Sequence, residues 1–301
     1  MKKVCVIGSL NMDMVIETDY PPVMGETVHG KGFATVPGGK GGNQAIAAAK
    51  LGCEVSFIGA VGDDAFGRDL KDNLKNHGID VSGVEKLGTS GIAMIVVSGG
   101  DNTIILEGGA NQKIDCALID RHIDLIEKSD IVIFQLEIPP KTVIYAMKKA
   151  KELGKEVLLN PAPMSGFDKK MLEYTDIFIP NQHEAGAILG MEVNGEESGK
   201  EACKKLKELG VGQVIVTLGS NGSVYNIGDE IKKQNAFKVK AVDSTAAGDS
   251  FIAAFCAEVD GRGTEGAVEY ASAVSAIVVG RKGASVSIPS RDEVGKFMNE
   301  F

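Results

Sequence analysis

The segment Val242-Asp243-Ser244-Thr245-Ala246-Ala247-Gly248-Asp249-Ser250-Phe251 strings small residues together, ends them in Gly-Asp and runs into an apolar stretch from Phe251 to Val259. Small side chains let successive backbone N–H groups point at one spot. A helix starting there adds unpaired donors and the positive end of its dipole, which makes an anion site suited to phosphate. An acid at the mouth of such a site stands beside the phosphate and can take a proton from whatever attacks it. Asp249 is therefore the candidate catalytic base for phosphoryl transfer, with Ala246, Ala247 and Gly248 as the anion cradle. The same acid would equally cap a helix, and the same small residues would equally serve tight packing. A second cluster, Pro37-Gly38-Gly39-Lys40-Gly41-Gly42-Asn43-Gln44, precedes an alanine-rich helix expected over Ala45 to Leu51 and closed by Gly52. No Ser or Thr follows its lysine and its glycine spacing is wrong for a Walker A loop, so it is not a P-loop. Its glycines allow backbone to approach a small ligand closely, with Lys40 and Asn43 offering polar contacts.

Such groups need a rigid frame. From about Asp130 short apolar runs alternate with helical stretches. Strands are expected at Ile131–Phe134, Glu156–Leu159, Ile177–Ile179 and Val214–Leu218. Helices are expected over Lys141–Leu153, from Asn181 and over Lys200–Leu209. This alternation implies right-handed βαβ units: an α/β fold with a mainly parallel central sheet covered by helices on both faces. Asp13, Glu137, Asn160, Asn181 and Gly219 each fall just after an expected strand, at the carboxyl rim where such sheets bind ligands. Met14 to Phe33 and Ile92 to Glu107 break the pattern. With a turn at Gly99-Gly100-Asp101-Asn102 they read as a small antiparallel sheet. No repeat or linker divides the chain, so residues 1–301 are expected to form one domain.

Composition bounds the partners. A net charge of −9 argues against nucleic acid or an anionic membrane as the principal partner. Met1-Lys2-Lys3 leads directly into Val4 to Gly8, an apolar run too short for a signal segment and suited to a buried first strand. No stretch has the length of a membrane span. Five scattered cysteines without metal-type spacing fit reduced thiols in a cytoplasmic protein.

Taken in order, these motifs resemble the ribokinase family of sugar kinases within the wider PfkB superfamily. The resemblance starts at Gly8-Ser9-Leu10-Asn11-Met12-Asp13 and the lysine-containing glycine cluster. It continues through Phe134-Gln135-Leu136-Glu137, Asn160-Pro161-Ala162-Pro163 and Pro180-Asn181-Gln182-His183-Glu184. It ends with Leu218-Gly219-Ser220-Asn221-Gly222, the Asp249 segment, Arg281-Lys282-Gly283-Ala284 and Ile288-Pro289. Departures are small: Gly42 stands where alanine is frequent, and Ser244 and Ser250 where threonine is frequent. They and Met12, at a variable flanking position, bear on fine sugar specificity.

The resemblance implies ATP-dependent phosphorylation of D-ribose at its 5-hydroxyl, with Asp249 as base. Asn11, Asp13, Gly39, Lys40, Asn43 and Glu137 would join Asp249 around the sugar, though Asn11 and Asp13 also suit an Asx turn, and Glu137 also suits the approach to Pro139-Pro140. Asn181 and Glu184 match an Asn-x-x-Glu pattern that would hold hydrated Mg²⁺ and phosphate, or simply cap a helix. Ser220, Asn221, Gly222 and Ser272 fall where the family contacts nucleotide. Asp243, Thr245, Val278, Arg281, Gly283 and Ser287 fall where it builds a K⁺ site. The resemblance also implies that about 14–36 and 92–107 form a β-lid over the sugar that pairs in a homodimer. Other acceptors, 2-deoxyribose or a nucleoside, share most contacts with ribose. A non-catalytic sugar sensor would lack the base or the anion loop, and a dinucleotide-dependent oxidoreductase would need a G-x-G-x-x-G that Gly8-Ser9-Leu10-Asn11 does not supply.

Overall fold

A computed structural model describes residues 1–99 and 101–300. Its strands are β1 (Lys3–Ile7), β2 (Asn11–Glu17), β3 (Gly32–Gly38), β4 (Glu54–Val61), β5 (Asp80–Lys86), β6 (Gly91–Ser98), β7 (Asp101–Glu107), β8 (Ile131–Phe134), β9 (Glu156–Leu159), β10 (Ile177–Phe178), β11 (Gln213–Thr217), β12 (Ser223–Ile227) and β13 (Glu230–Gln234). They form a nine-stranded sheet ordered β13-β12-β11-β10-β9-β8-β1-β4-β5 and a four-stranded sheet ordered β3-β2-β6-β7. From β11 to β5 the large sheet is parallel throughout. β12 and β13 extend it as an antiparallel edge.

Helices bury both faces of the large sheet. Val4, Val6, Ile131 and Ile133 belong to one apolar cluster, with the helices Lys40–Lys50 and Ala247–Val279. Their alternates Cys5, Ile7, Val132 and Phe134 belong to the other, with the helices Pro140–Glu152 and Glu196–Glu208. Successive side chains on a strand point to opposite faces, so burial on both sides explains why these strands are continuously apolar.

The small sheet differs from expectation at its seam. β2–β3 and β6–β7 are antiparallel, but β2 pairs with β6 in parallel. The cause is topological: β2 follows β1 and β6 follows β5, parallel strands of the large sheet, so both leave the same rim in the same sense. The small sheet also starts earlier than the alternation in sequence predicts. Asn11 lies opposite Gly38 and Gly91, and Asp13 opposite Val36 and Ala93. Two residues apart on one strand, their side chains share a face. Gly100, in the expected turn before β7, lies outside the described residues.

The Lys40–Lys50 helix starts within the glycine cluster rather than at Ala45. Gly39, at φ 89°, turns the chain into it. Gly41 lets the first turn lie against the end of β1, where a Cβ would stand 2.7 Å from the Ser9 nitrogen and 2.8 Å from its carbonyl oxygen. The helix over the anion segment likewise starts early, at Ala247, and continues to Val279 with a break at Gly263 (φ 67°).

Gly41→Ala is a direct test of that close approach. In an open helix the change stabilises by about 1 kcal/mol. Here the clash is with backbone that has no room to yield, and overpacking should instead destabilise by roughly 1–3 kcal/mol. Urea denaturation reads the sign, and a stabilised variant would contradict the packing described.

Candidate active site

Asp249 lies in the first turn of the Ala247–Val279 helix and is buried. Its Oδ1 accepts from Gln44 Nε2 at 3.0 Å and its Oδ2 from Asn43 Nδ2 at 3.2 Å. Both amides come from the Lys40–Lys50 helix, so the two glycine-rich segments meet at this carboxylate. An ionised carboxylate only accepts, which fixes both amide orientations. Asn43 therefore turns its Oδ1 away from Asp249, and that buried oxygen has no protein partner. An orphaned acceptor beside an acid suits a ligand hydroxyl.

Glu137, in the loop after β8, sits against the start of the Lys40–Lys50 helix. Its Oε2 accepts from Lys40 N at 3.2 Å, from Asn11 Nδ2 at 3.3 Å and from the Ser9 hydroxyl. Glu137 thus satisfies the first N–H of the helix that delivers Asn43 and Gln44, with an acid at the positive end of its dipole. Asn11 is held in turn by Asn111, whose Nδ2 donates to Asn11 Oδ1 at 2.8 Å. The Asp13 carboxylate accepts no hydrogen bond among the described residues. Burial, then the charges of Glu137 and Asp249, push its carboxyl up to about 7. Lys40 answers this negative field. Burial lowers its ammonium, but Asp249, Glu137 and Glu184 together outweigh burial and hold it above the ordinary lysine value.

Lys40, Asn181, Glu184, Ala246, Gly248 and Asp249 line one cleft of about 180 Å³, together with Asn160, Thr217 and Ser244. That volume is below the few hundred Å³ usual for a whole small-molecule site, so it corresponds to a reaction centre with ligands extending beyond it. Ala246 adopts a left-handed conformation, φ 62° and ψ 5°, and no side chain caps the helix that follows. A non-glycine residue held there carries strain, and the uncapped first turn leaves N–H donors beside the cleft. Gly248 has nothing within 4 Å of where a Cβ would stand. Asn181 and Glu184 form a full capping box: Asn181 Oδ1 accepts from Glu184 N at 2.9 Å, and Glu184 Oε2 accepts from Asn181 N at 2.8 Å. Both remain cleft-lining, so capping and ligand contact coexist. Burial, the largest effect, raises the Glu184 carboxyl.

Other expected residues stand apart from this centre. Ser220 and Asn221 are exposed on the turn after β11. Gly222 has a structural reason, φ 85° with a would-be Cβ 2.0 Å from the Gln234 carbonyl oxygen. The Ser272 hydroxyl donates to Val268 O at 2.8 Å within its own helix, and Ser272 does not line the cleft. Asp243 Oδ1 accepts from Thr245 N and Oγ1 at 2.9 and 2.6 Å, and Oδ2 from Gly283 N at 2.9 Å. Burial works to raise this carboxyl, but those hydrogen bonds win and hold it below its usual value. Arg281 donates to Ser287 O at 3.4 Å and pairs with Glu293 at 2.7 Å. The nearby Val278 carbonyl accepts from Arg281 N at 3.0 Å.

Sequence reasoning assigns no role to Ser9, Gln44, Gln135 or Thr217, places Asn160 only at the ligand-binding rim, and reads Ser244 only as a departure bearing on specificity. Most lie inside motifs named above, and the available signal is an amide or hydroxyl next to a strand end. Among the described residues no cluster of His, Cys, Asp and Glu forms a metal site, and no helix is long and apolar enough to cross a membrane.

The chain matches the profile of the pfkB family of carbohydrate kinases over residues 1–291. It is 42% identical to a ribokinase of Schizosaccharomyces pombe, covering 99% of this chain and 98% of that one. It is 36% identical to a deoxyribokinase of Salmonella typhi, covering 98% of each. The structure of Arabidopsis thaliana ribokinase complexed with ribose and ATP superposes with a TM-score of 0.90 at 34% identity over 99% of both chains.

The raised carboxyl of Asp13 has a consequence for the free protein. Its folded value lies above its unfolded one, so its contribution to stability is full below about pH 4 and is lost as pH rises through 7. Asp13→Asn should therefore stabilise the free protein at pH 8 by about 1–3 kcal/mol, less than the full shift because the side chain is partly exposed. The gain should shrink toward zero near pH 4. Urea titrations at both pH values check this, and an equal gain at both would contradict it.

Proposed function

This chain belongs to the pfkB family of carbohydrate kinases, and on that premise we propose that it transfers the γ-phosphoryl group of ATP to the 5-hydroxyl of D-ribose. The observation that carries the reading is Asp249, held by two amides beside an uncapped helix N-terminus in a cleft shared with Lys40, Asn181 and Glu184. The sugar's 5-hydroxyl gives its proton to Asp249 as its oxygen bonds to the γ-phosphorus and the bond to the β-phosphate oxygen breaks. N–H groups of Ala246, Gly248 and Asp249 and the Lys40 ammonium stabilise charge on the transferred group, the Ala247 N–H being spent on Ser244 O. Asn11, Asp13, Asn43 and Glu137 hold the sugar through oxygens that accept from its hydroxyls and amides that donate to them, with Gly39 allowing close approach. Ser220, Asn221, Gly222 and Ser272 belong to the nucleotide side.

Glu184 and Asn181 suit a hydrated Mg²⁺ carried by the nucleotide, because this hard cation needs only one or two oxygen ligands from protein. Bound there, it would neutralise phosphate charge. The Asp243–Thr245 and Val278–Ser287 segments suit K⁺. Asp243 is ionised and tied to the Gly283 loop, and Glu293 offsets the Arg281 charge. The small sheet acts as a lid that excludes water from the sugar. Its exposed apolar residues Phe33, Met94, Ile104 and Ile105 fit pairing with a second copy. The free state of all five cysteines fits a cytoplasmic setting. A second reading, with 2-deoxyribose as acceptor, has support from the deoxyribokinase relative.

A coupled ATP-to-ADP assay across ribose, 2-deoxyribose, fructose and adenosine tests the acceptor, in K⁺ and Na⁺ at fixed ionic strength. Ribose is expected to give the highest kcat/KM, and K⁺ the higher rate. Preference for any other acceptor overturns the ribose reading, and equal rates in both salts overturn the K⁺ reading. Gly248→Ala tests the phosphate cradle. With open space around it the variant should fold at least as stably as the parent. Its new methyl enters the cleft, and kcat/KM for MgATP should fall by roughly tenfold or more. Unchanged kinetics would remove phosphate from that position.

A further inference from the structure

Asp249 is hydrogen-bonded to a buried chain of side-chain amides that runs along the carboxyl ends of β8 and β9. The carboxylate accepts at Oδ1 from Gln44 Nε2, 3.0 Å away. Because that contact commits the nitrogen of Gln44, its carbonyl oxygen must face the other way. There it accepts from Gln135 Nε2 at 2.6 Å. The second N–H of Gln44 points to Asn160 Oδ1 at 3.5 Å, and Asn160 Nδ2 donates onward to Ile179 O at 3.1 Å. Gln44 and Gln135 are fully buried.

Two glutamines sealed in this way are unusual, because burying amides is costly without partners, and here the cost is not fully offset: Gln135 Oε1 has no partner among the described residues. Backbone is shaped around them. Gly8, at the end of β1, leaves the space that Gln135 fills, and a Cβ there would stand 1.8 Å from Gln135 Oε1. Asn43 already gives Asp249 one donor, so Gln44 is not needed merely to satisfy the carboxylate. What it adds is a second fixed point. With each oxygen held by a different amide, the plane of the carboxylate is set and its free lone pairs keep one direction toward the cleft.

We propose that Gln44 is a positioning residue for Asp249 and that Gln135 acts through Gln44, the pair fixing the base for proton acceptance without touching sugar or nucleotide. The proposal rests on the reading of Asp249 as the base. A misoriented base slows the chemical step while leaving ground-state binding alone, so the effect belongs in kcat rather than in KM.

The test is a set of variants in the ribose assay, with ribose affinity by calorimetry and thermal midpoints as folding controls. Gln44→Leu keeps the volume and removes the donor. It should lower kcat by roughly 10–100-fold while both KM values stay within about threefold. Gln135→Leu should cost less, roughly 3–10-fold, and the double variant should be no slower than Gln44→Leu alone, as expected for residues acting in series. The double variant also removes both halves of the buried amide pair, which guards against a fold lost to one orphaned group. In an Asp249→Asn background, itself slowed by roughly 10²–10⁴, Gln44→Leu should change the residual rate by less than about twofold. Folded Gln44→Leu with kcat within about twofold of wild type, beside a disabled Asp249→Asn, overturns this proposal and leaves the base intact. Losses that multiply in the double variant, or that appear in KM, also overturn it, because they mark general packing damage. If Asp249→Asn itself retains wild-type kcat, the base reading fails and the positioning role falls with it.

Discussion

The pair of hydrogen bonds from Asn43 and Gln44 to Asp249 joins positions about two hundred residues apart in the chain, and the remainder of the site is arranged around it. Four acids, Asp13, Glu137, Glu184 and Asp249, crowd a small volume. Left to themselves they would repel one another and resist burial. Glu137 is compensated by the first N–H of a helix, Glu184 by a capping box, and Asp249 by two amides and a helix N-terminus. Asp13 has no such partner, and burial together with the charges of Glu137 and Asp249 drives its carboxyl up to about 7. The uncompensated part of the electrostatic cost is thus concentrated on the residue with the freest oxygens.

The scaffold explains how two helix N-termini come to face one point. Parallel strands deliver their following loops to one rim, and the helices Lys40–Lys50 and Ala247–Val279 pack on the same face of the sheet. Their first turns therefore meet beyond the carboxyl end of β1. β2 and β6 leave that rim side by side, which makes the parallel seam of the small sheet and carries Asn11 and Asp13 toward the same place. A site made in this way needs close contact between backbones, and Gly39 and Gly41 supply it.

Strand identity is legible in the sequence where burial is two-sided. Ile131–Phe134 and Glu156–Leu159 have the limits that their pattern predicts, since a short, largely apolar run flanked by polar residues fits a strand covered on both faces. The helix start predicted at Ala45 falls late, as would one capped by Asp249, because glycine-rich stretches have poor intrinsic helix propensity. What extends those helices is tertiary: a Glu137 oxygen almost a hundred residues away in one case, and strained Ala246 in the other. The acids of the site are legible from type and spacing. Gln44 and Gln135 lie within the motifs yet carry no assignment, because an amide's role lies in its partners, which sequence does not display. The parallel β2–β6 seam is hidden for the same reason, as alternation reports which faces are buried and not which strand lies alongside.

The claim at the centre of this account is that acceptor, base and phosphate meet at Asp249. The most direct measurement is a crystal structure of the protein with ribose and a non-hydrolysable ATP analogue. The account predicts the 5-hydroxyl oxygen within hydrogen-bond reach of Asp249, about 2.6–3.2 Å, and on the far side from the leaving phosphate. It also predicts terminal phosphate oxygens against the Gly248 and Asp249 N–H groups. A sugar bound with its 5-hydroxyl directed away from Asp249, or phosphates resting elsewhere than the Ala247–Val279 helix start, would contradict it.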